Sequence, residues 1–94
     1  MDLRYHLDAD TGLPHICEHG VTEEEVEQIL RGSGDEVAGT RGSRIKLGQT
    51  ASGRYLQVIY VRDDVGDGAF VVTAYEPKEK AKQAYRRRRR KRGK

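Results

Sequence analysis

Three closely spaced β-prone segments constrain the fold of this 94-residue chain more than any other feature. Apolar and polar residues alternate over 44–50, β-branched and aromatic residues dominate 54–62, and a third apolar run spans 69–75. Short polar turns at 51–53 and 63–68 separate them. Consecutive strands joined by short turns pair in antiparallel order. The sequence therefore predicts a three-stranded antiparallel meander.

The register of the first hairpin decides which side chains share a face of this sheet. We expect Gln49 to pair with Arg54. One face would then carry Ile45, Leu47, Leu56, Val58 and Tyr60. The other face would carry Arg44, Lys46, Tyr55, Gln57 and Ile59. A slip of one residue would exchange the two faces.

The N-terminal region predicts a short strand followed by a short helix. Apolar residues alternate with polar ones over residues 2–7, which is typical of a strand. Pro14 can open a helix at its first position, and Gly20 can close it. This helix is expected to direct three side chains inward: Leu13, Ile16 and Cys17.

A second helix, over residues 23–31, has the clearest local signature in the chain. Thr22 and Glu25 have the spacing of a capping box, and Val21 precedes the cap as in a hydrophobic staple. Acidic residues fill the first turn, where the helix dipole favours them. The expected buried stripe comprises Val26, Ile29 and Leu30, and Gly32 is the expected C-terminal glycine.

The remaining segments complete an α+β domain. Residues 32–43 are glycine-rich and predict a loop with, at most, a short strand near 36–38. A C-terminal helix is expected to begin after Pro77 and to fray after Tyr85, because like charges repeat at four-residue spacing. We therefore expect one domain over 1–85, with an antiparallel three- to four-stranded sheet packed against N-terminal helices and a C-terminal helix. Residues 86–94 are predicted to form a disordered arginine-rich tail that orders on binding.

Composition limits the cellular setting. Cys17 is the one cysteine, so no intramolecular disulfide forms, and a reducing, cytoplasmic location is expected. No apolar run approaches the ~18 residues that a membrane span needs, so we expect no membrane partner.

Charge is divided sharply along the chain. Residues 78–94 contain eleven Lys and Arg against one acid, a net charge of +10, whereas residues 1–77 contain seven bases and fourteen acids, a net charge of −7. Arginine suits phosphate oxygens and stacks on nucleobases, so RNA or the ribosome is the expected partner of this segment. The predicted RNA-binding residues are Arg86, Arg87, Arg88, Arg89, Arg90, Lys91 and Arg92. A purely electrostatic or solubilising tail is the plainer alternative.

Other side chains suggest chemistry less specifically. His15, Cys17 and His19 are spaced two apart, which points them in different directions on a short helix, so neither a metal site nor another cofactor is expected. Bases and phenols lie on or beside the predicted sheet. They could stabilise a phosphate and transfer protons in RNA cleavage, or simply form a half-solvated polar surface.

Four short motifs in a fixed order resemble the BrnT-type toxins and their relatives. They are HGVT at 19–22, RIKLGQT at 44–50, GRYLQV at 53–58 and VTAY at 72–75. The resemblance covers roughly residues 3–85. It implies a RelE-like ribonuclease fold, in which a helix pair packs on an antiparallel sheet, in a bacterial toxin–antitoxin system.

The resemblance further implies a metal-independent endoribonuclease that inhibits translation and is neutralised by a small antitoxin protein. Its catalytic candidates are Arg44, Lys46 and Arg54, which would hold the scissile phosphate, and His19 or Tyr75, which would transfer a proton. Two alternatives stay open: a noncatalytic RNA- or ribosome-binding module on the same fold, and a protein–protein adaptor whose tail meets an acidic partner.

Overall fold

A computed structural model describes residues 2–92 of the chain and contains five strands and three helical segments. Both the α1 helix and the third strand of the meander have the boundaries that the sequence predicts. The elements in chain order are β1 (Leu3–Tyr5), a 3₁₀ helix (His15–His19), α1 (Glu23–Arg31), β2 (Asp35–Ala38), β3 (Arg44–Gln49), β4 (Tyr55–Arg62), β5 (Ala69–Tyr75) and α2 (Glu79–Arg92).

The five strands form one mixed sheet in the order β1-β5-β4-β3-β2. The meander β3-β4-β5 is antiparallel as predicted, and β2 extends it at one edge. The expectation of a purely antiparallel sheet is wrong, because β1 pairs with β5 in parallel. β1 and β5 are far apart in sequence, so the intervening chain allows them to pair in either direction. The sequence of β1 does not encode which direction it takes. The α+β class is confirmed.

The predicted hairpin register is wrong by one residue. Gln49 pairs with Tyr55 and Lys46 pairs with Val58. Thr50 and Arg54 instead close a three-residue loop: Thr50 N–H donates to the Arg54 carbonyl (2.8 Å), and Gly53 adopts φ +95°. A glycine with positive φ at the end of such a loop is a common hairpin geometry.

This shift exchanges the faces of β3. Arg44 and Lys46 lie on the same face as Val58 and Tyr60, whereas Ile45 and Leu47 lie on the opposite face. Arg44 and Lys46, expected on the face opposite Val58 and Tyr60, therefore belong to the face that carries α1.

The core lies between that face of the sheet and the two N-terminal helical segments. Its fully buried side chains include Ile16, Val21, Val26, Ile29, Leu56, Val58 and Val71. The prediction that Leu13 and Cys17 point inward is wrong, since Leu13 is 56% exposed and Cys17 is exposed. The segment is a 3₁₀ helix, which directs only one residue in three, here Ile16, toward the sheet.

Capping fixes the ends of α1. The Thr22 hydroxyl accepts from Glu25 N–H (3.1 Å), and the Glu25 carboxylate accepts from Thr22 N–H (3.0 Å). Val21 and Val26 are both buried, consistent with the staple. The capping box inferred from the sequence is confirmed.

Helix α2 lies against the opposite face of the sheet. Its Tyr85 is buried, and its ring meets the Tyr55 ring edge-on at 6.1 Å between centroids. The helix continues to Arg92, beyond Tyr85, where we expected fraying. Contacts made by Arg88 with Asp35 and by Arg89 with the Ser33 carbonyl explain the extension, because they hold the helix to the domain. Residues 93–94 of the predicted tail lie outside the described residues. Within residues 2–92, no helix is long and apolar enough to cross a membrane.

Candidate functional site

The fold divides the five predicted catalytic residues between two places. Arg44 and Lys46 lie near the β2 edge of the sheet, on the α1 face. His19, Arg54 and Tyr75 lie together at the opposite end of the strands, around Gly20. The five residues therefore do not form a single site.

The first group, which we call the edge cluster, comprises Glu36, Arg44, Lys46, Tyr60 and Arg62. Glu36 accepts hydrogen bonds from Arg44 Nε (2.8 Å) and the Tyr60 hydroxyl, and Arg62 lies at 3.4 Å. Burial works to raise the pKa of Glu36, but the hydrogen bonds from Tyr60 and Arg44 keep this pKa below its usual value. Glu36 thus offsets the charge of one of the two arginines that would otherwise attract phosphate.

Tyr60 in the edge cluster is unsuited to proton transfer. Burial, reinforced by the hydrogen bond to Glu36, raises the pKa of Tyr60 to about 12. A general acid or base works best when its pKa lies near the working pH. The Tyr60 hydroxyl is therefore a hydrogen-bond donor to Glu36 at neutral pH.

Lys46 has a structural role in this cluster. It is 9% exposed, and its Nζ donates to the carbonyls of Leu30 (3.0 Å) and Gly32 (2.7 Å). These carbonyls belong to the C-terminal end of α1, where backbone acceptors lack partners within the helix. Burial lowers the pKa of Lys46. The side chain caps α1 and is turned away from any phosphate.

The second group, which we call the histidine end, comprises His19, Gly20, Arg54 and Tyr75. Arg54 Nη1 donates to the Gly20 carbonyl (2.9 Å), and the guanidinium also pairs with Glu25 (2.9 Å) and Glu76 (2.9 Å). Burial opposes the charge of Arg54, but the hydrogen bonds to Glu76 and Glu25 raise its pKa. Two carboxylates therefore offset the one cation of this group.

The rings of the histidine end are close to one another. The His19 and Tyr75 centroids are 6.0 Å apart, and His15 lies 5.1 Å from His19 on its other side. His19 is exposed to solvent, whereas Tyr75 is half-buried. An accessible imidazole beside a phenol can exchange protons with a bound ligand.

A third surface, the α2 groove, lies between α2 and the sheet face that α2 covers. It encloses about 240 Å³ and is lined by Gln49, Tyr55, Tyr85, Arg86 and Arg89. Arg86 and Arg87 are exposed and form no ion pair within residues 2–92. The sequence pointed to the arginines and to Tyr55 as one of the phenols of the sheet, but not to Gln49 and Tyr85, whose placement depends on the hairpin register and on the docking of α2.

No protein-family model, curated protein or solved structure matches this chain. The resemblance to BrnT-type toxins accordingly rests on the four sequence motifs.

Proposed function

We propose that this protein is an RNA- or ribosome-binding module that acts through α2. The observation that carries the proposal is the α2 groove, where the exposed Arg86 adjoins the half-buried Tyr55 ring. Single-stranded nucleic acids bind where cationic side chains follow the backbone and aromatic rings offer stacking surfaces. The α2 groove places the cation of Arg86 beside the half-buried Tyr55 ring at one face of the domain.

The arrangement of charge supports the same conclusion. The net charge of −7 over residues 1–77 disfavours a polyanion on the body, whereas residues 78–94 carry +10. Arg88 contacts Asp35 at the start of β2, and Arg89 contacts Ser33 in the loop before β2, so the helix is held beside the sheet. A ligand on α2 would thus meet Arg86, Arg87 and the groove together.

The edge cluster and the histidine end favour binding over catalysis. Lys46 is used to cap α1, and Arg44 and Arg54 are paired with carboxylates. A cation that stabilises a phosphate in the transition state must reach it unhindered. None of these three side chains meets that condition.

The proposal is tested by fluorescence anisotropy of a labelled single-stranded RNA with an Arg86→Ala/Arg87→Ala variant. We expect affinity to fall at least 10-fold, because two phosphate contacts are lost. The matched control, Arg31→Ala/Arg41→Ala, removes the same charge from exposed positions elsewhere and should bind nearly as well as the wild type. Equal losses in both variants would contradict a binding site on α2.

A second candidate function is the endoribonuclease of a BrnT-type, RelE-like toxin with a small antitoxin partner. The proximity of His19, Arg54 and Tyr75 favours it, since three of the five catalytic candidates converge. Here His19 and Tyr75 would transfer protons, and Arg54 would release one carboxylate to receive the phosphate. The α2 groove would hold the RNA in this case also.

This second function predicts RNA cleavage by the purified protein and growth arrest on expression in bacteria. His19→Gln and Tyr75→Phe should each lower the cleavage rate at least 10-fold. Tyr5→Phe, which changes a phenol that lies outside the histidine end, should leave the rate unchanged. Absence of cleavage by the wild type would exclude the nuclease and leave the binding module.

A further inference from the structure

Three metal-ligating side chains converge next to the histidine end, where His15 adjoins His19. His15 Nδ1 lies 2.9 Å from Asp8 Oδ1 and 3.6 Å from Glu18 Oε2. One ligand atom from each residue lies within 4.8 Å of the other two. We call this group the Asp8 cluster.

The backbone around the Asp8 cluster is fixed by hydrogen bonds. Asp8 N–H donates to the Leu13 carbonyl (2.9 Å), and His15 N–H donates to the His6 carbonyl (2.8 Å). These bonds close the loop so that Asp8 faces the first turn of the 3₁₀ helix. His15 and Glu18 are three residues apart, and side chains at this spacing lie one above the other in a 3₁₀ helix.

One oxygen of the cluster lacks a partner. Asp8 Oδ2 is buried and has no hydrogen-bond partner within the described residues, and the Asp8 side chain is 15% exposed. A protonated His15 can pair with Asp8 Oδ1 and approach Glu18, but it leaves Oδ2 unsatisfied. Buried carboxylate oxygens are normally hydrogen-bonded or bound to a metal ion. A cation bound by the Asp8 and Glu18 carboxylates would give Asp8 Oδ2 a partner.

We propose that Asp8, His15 and Glu18 form a binding site for a divalent transition-metal ion of the zinc type. One imidazole and two carboxylates match the nitrogen and oxygen ligands of such ions, and their two negative charges balance the cation. Glu18 is 54% exposed, so a further coordination position faces solvent. The His15–Cys17–His19 spacing concealed this site, because Asp8 approaches from a loop seven residues earlier in sequence. The inference does not depend on RNA binding.

Isothermal titration of the full chain with ZnCl₂ after chelator treatment tests the proposal. We expect one equivalent to bind the wild type, with affinity at least 10-fold lower in the isosteric variants Asp8→Asn and Glu18→Gln. Zinc at about 100-fold excess over its dissociation constant should raise the wild-type Tm by more than ~5 °C. The Co²⁺-substituted protein should show visible absorption bands that both variants lack.

Two controls separate the Asp8 cluster from adventitious binding. Asp10→Asn removes a carboxylate from the same turn, and Cys17→Ser removes the exposed thiol between His15 and Glu18; both should bind zinc as the wild type does. Because Asp8→Asn could unfold the loop, circular dichroism of each metal-free variant accompanies the titration. Glu18 is exposed, so Glu18→Gln should lose zinc affinity without unfolding. Binding that disappears in Cys17→Ser, or persists in a folded Glu18→Gln variant, would overturn the proposal.

Discussion

Lys46 shows at the scale of one residue how burial assigns a role that residue type does not reveal. It is 9% exposed, and its ammonium donates to two carbonyls at the end of α1. Removing a buried donor leaves its acceptors unsatisfied, at a cost of about 1–3 kcal/mol. The side chain therefore contributes to the stability of the fold.

We predict that Lys46→Met lowers the free energy of unfolding by about 1–2 kcal/mol, because the Leu30 and Gly32 carbonyls lose their donor. Urea denaturation measures the change. Lys80→Met, at an exposed position of α2, is the matched control and should change stability by less than ~0.5 kcal/mol. A Lys46→Met protein as stable as the wild type would show that the cap is unimportant.

The sequence predicts that Lys46 lies on β3, but it does not fix which face of the sheet the side chain occupies. That face depends on whether the hairpin loop holds three or four residues. Both lengths are compatible with the Thr50–Arg54 segment, and positive φ at Gly53 selects the shorter one. A difference of one residue in register places Arg44 and Lys46, two of the five catalytic candidates, on the α1 face and not on the opposite face.

At the scale of an element, α1 was predictable because its signals are local. The capping box and the buried stripe lie within eleven residues, and no distant contact is needed to recognise them. The partners of β1 and α2 were harder to predict. A parallel strand pair and a docked helix depend on residues far apart in sequence, such as Arg88 and Asp35.

Glu25 links the α1 cap to acid stability. The hydrogen bond from the Thr22 backbone, followed by those from Arg54 and the Thr22 side chain, lowers the pKa of Glu25 below its usual 4.5. A carboxyl group with a lowered pKa in the folded state stabilises the protein above pH 4.5, and this contribution is lost as the pH falls through the folded-state pKa.

We therefore predict that Glu25→Gln lowers stability by about 1 kcal/mol at pH 7 and reduces the loss of stability between pH 5 and pH 3. Urea denaturation at several pH values measures both effects. Glu24→Gln, exposed in the same helical turn, is the control and should keep the wild-type pH dependence. A Glu25→Gln curve parallel to the wild-type curve would contradict the assignment.

At the scale of the whole molecule, an acidic body carries a basic helix. The two parts are not independent, because Arg88 pairs with Asp35 and Arg89 donates to the Ser33 carbonyl. The sequence could predict the separation of charge but not these contacts. They orient α2 so that Arg86 adjoins the α2 groove, and they engage Arg88 and Arg89 with the body of the domain.

The charge of residues 86–94 sets the expected salt dependence of RNA binding. Residues 86–94 carry eight positive charges, of which Arg88 and Arg89 are engaged with the body. For single-stranded RNA, the slope of log K against log salt is about −0.7 for each phosphate contact. If the other six charges of this segment contact phosphates, the slope is about −4, whereas eight contacts would give a slope of about −6.

The measurement that tests the central claim most directly is this salt dependence, obtained with the full chain and a single-stranded RNA between ~50 and ~300 mM KCl. We expect a linear plot of log K against log salt with a slope near about −4. The Arg86→Ala/Arg87→Ala variant should have a shallower slope of about −3. A wild-type slope near zero, or one that this variant leaves unchanged, would contradict RNA binding through α2.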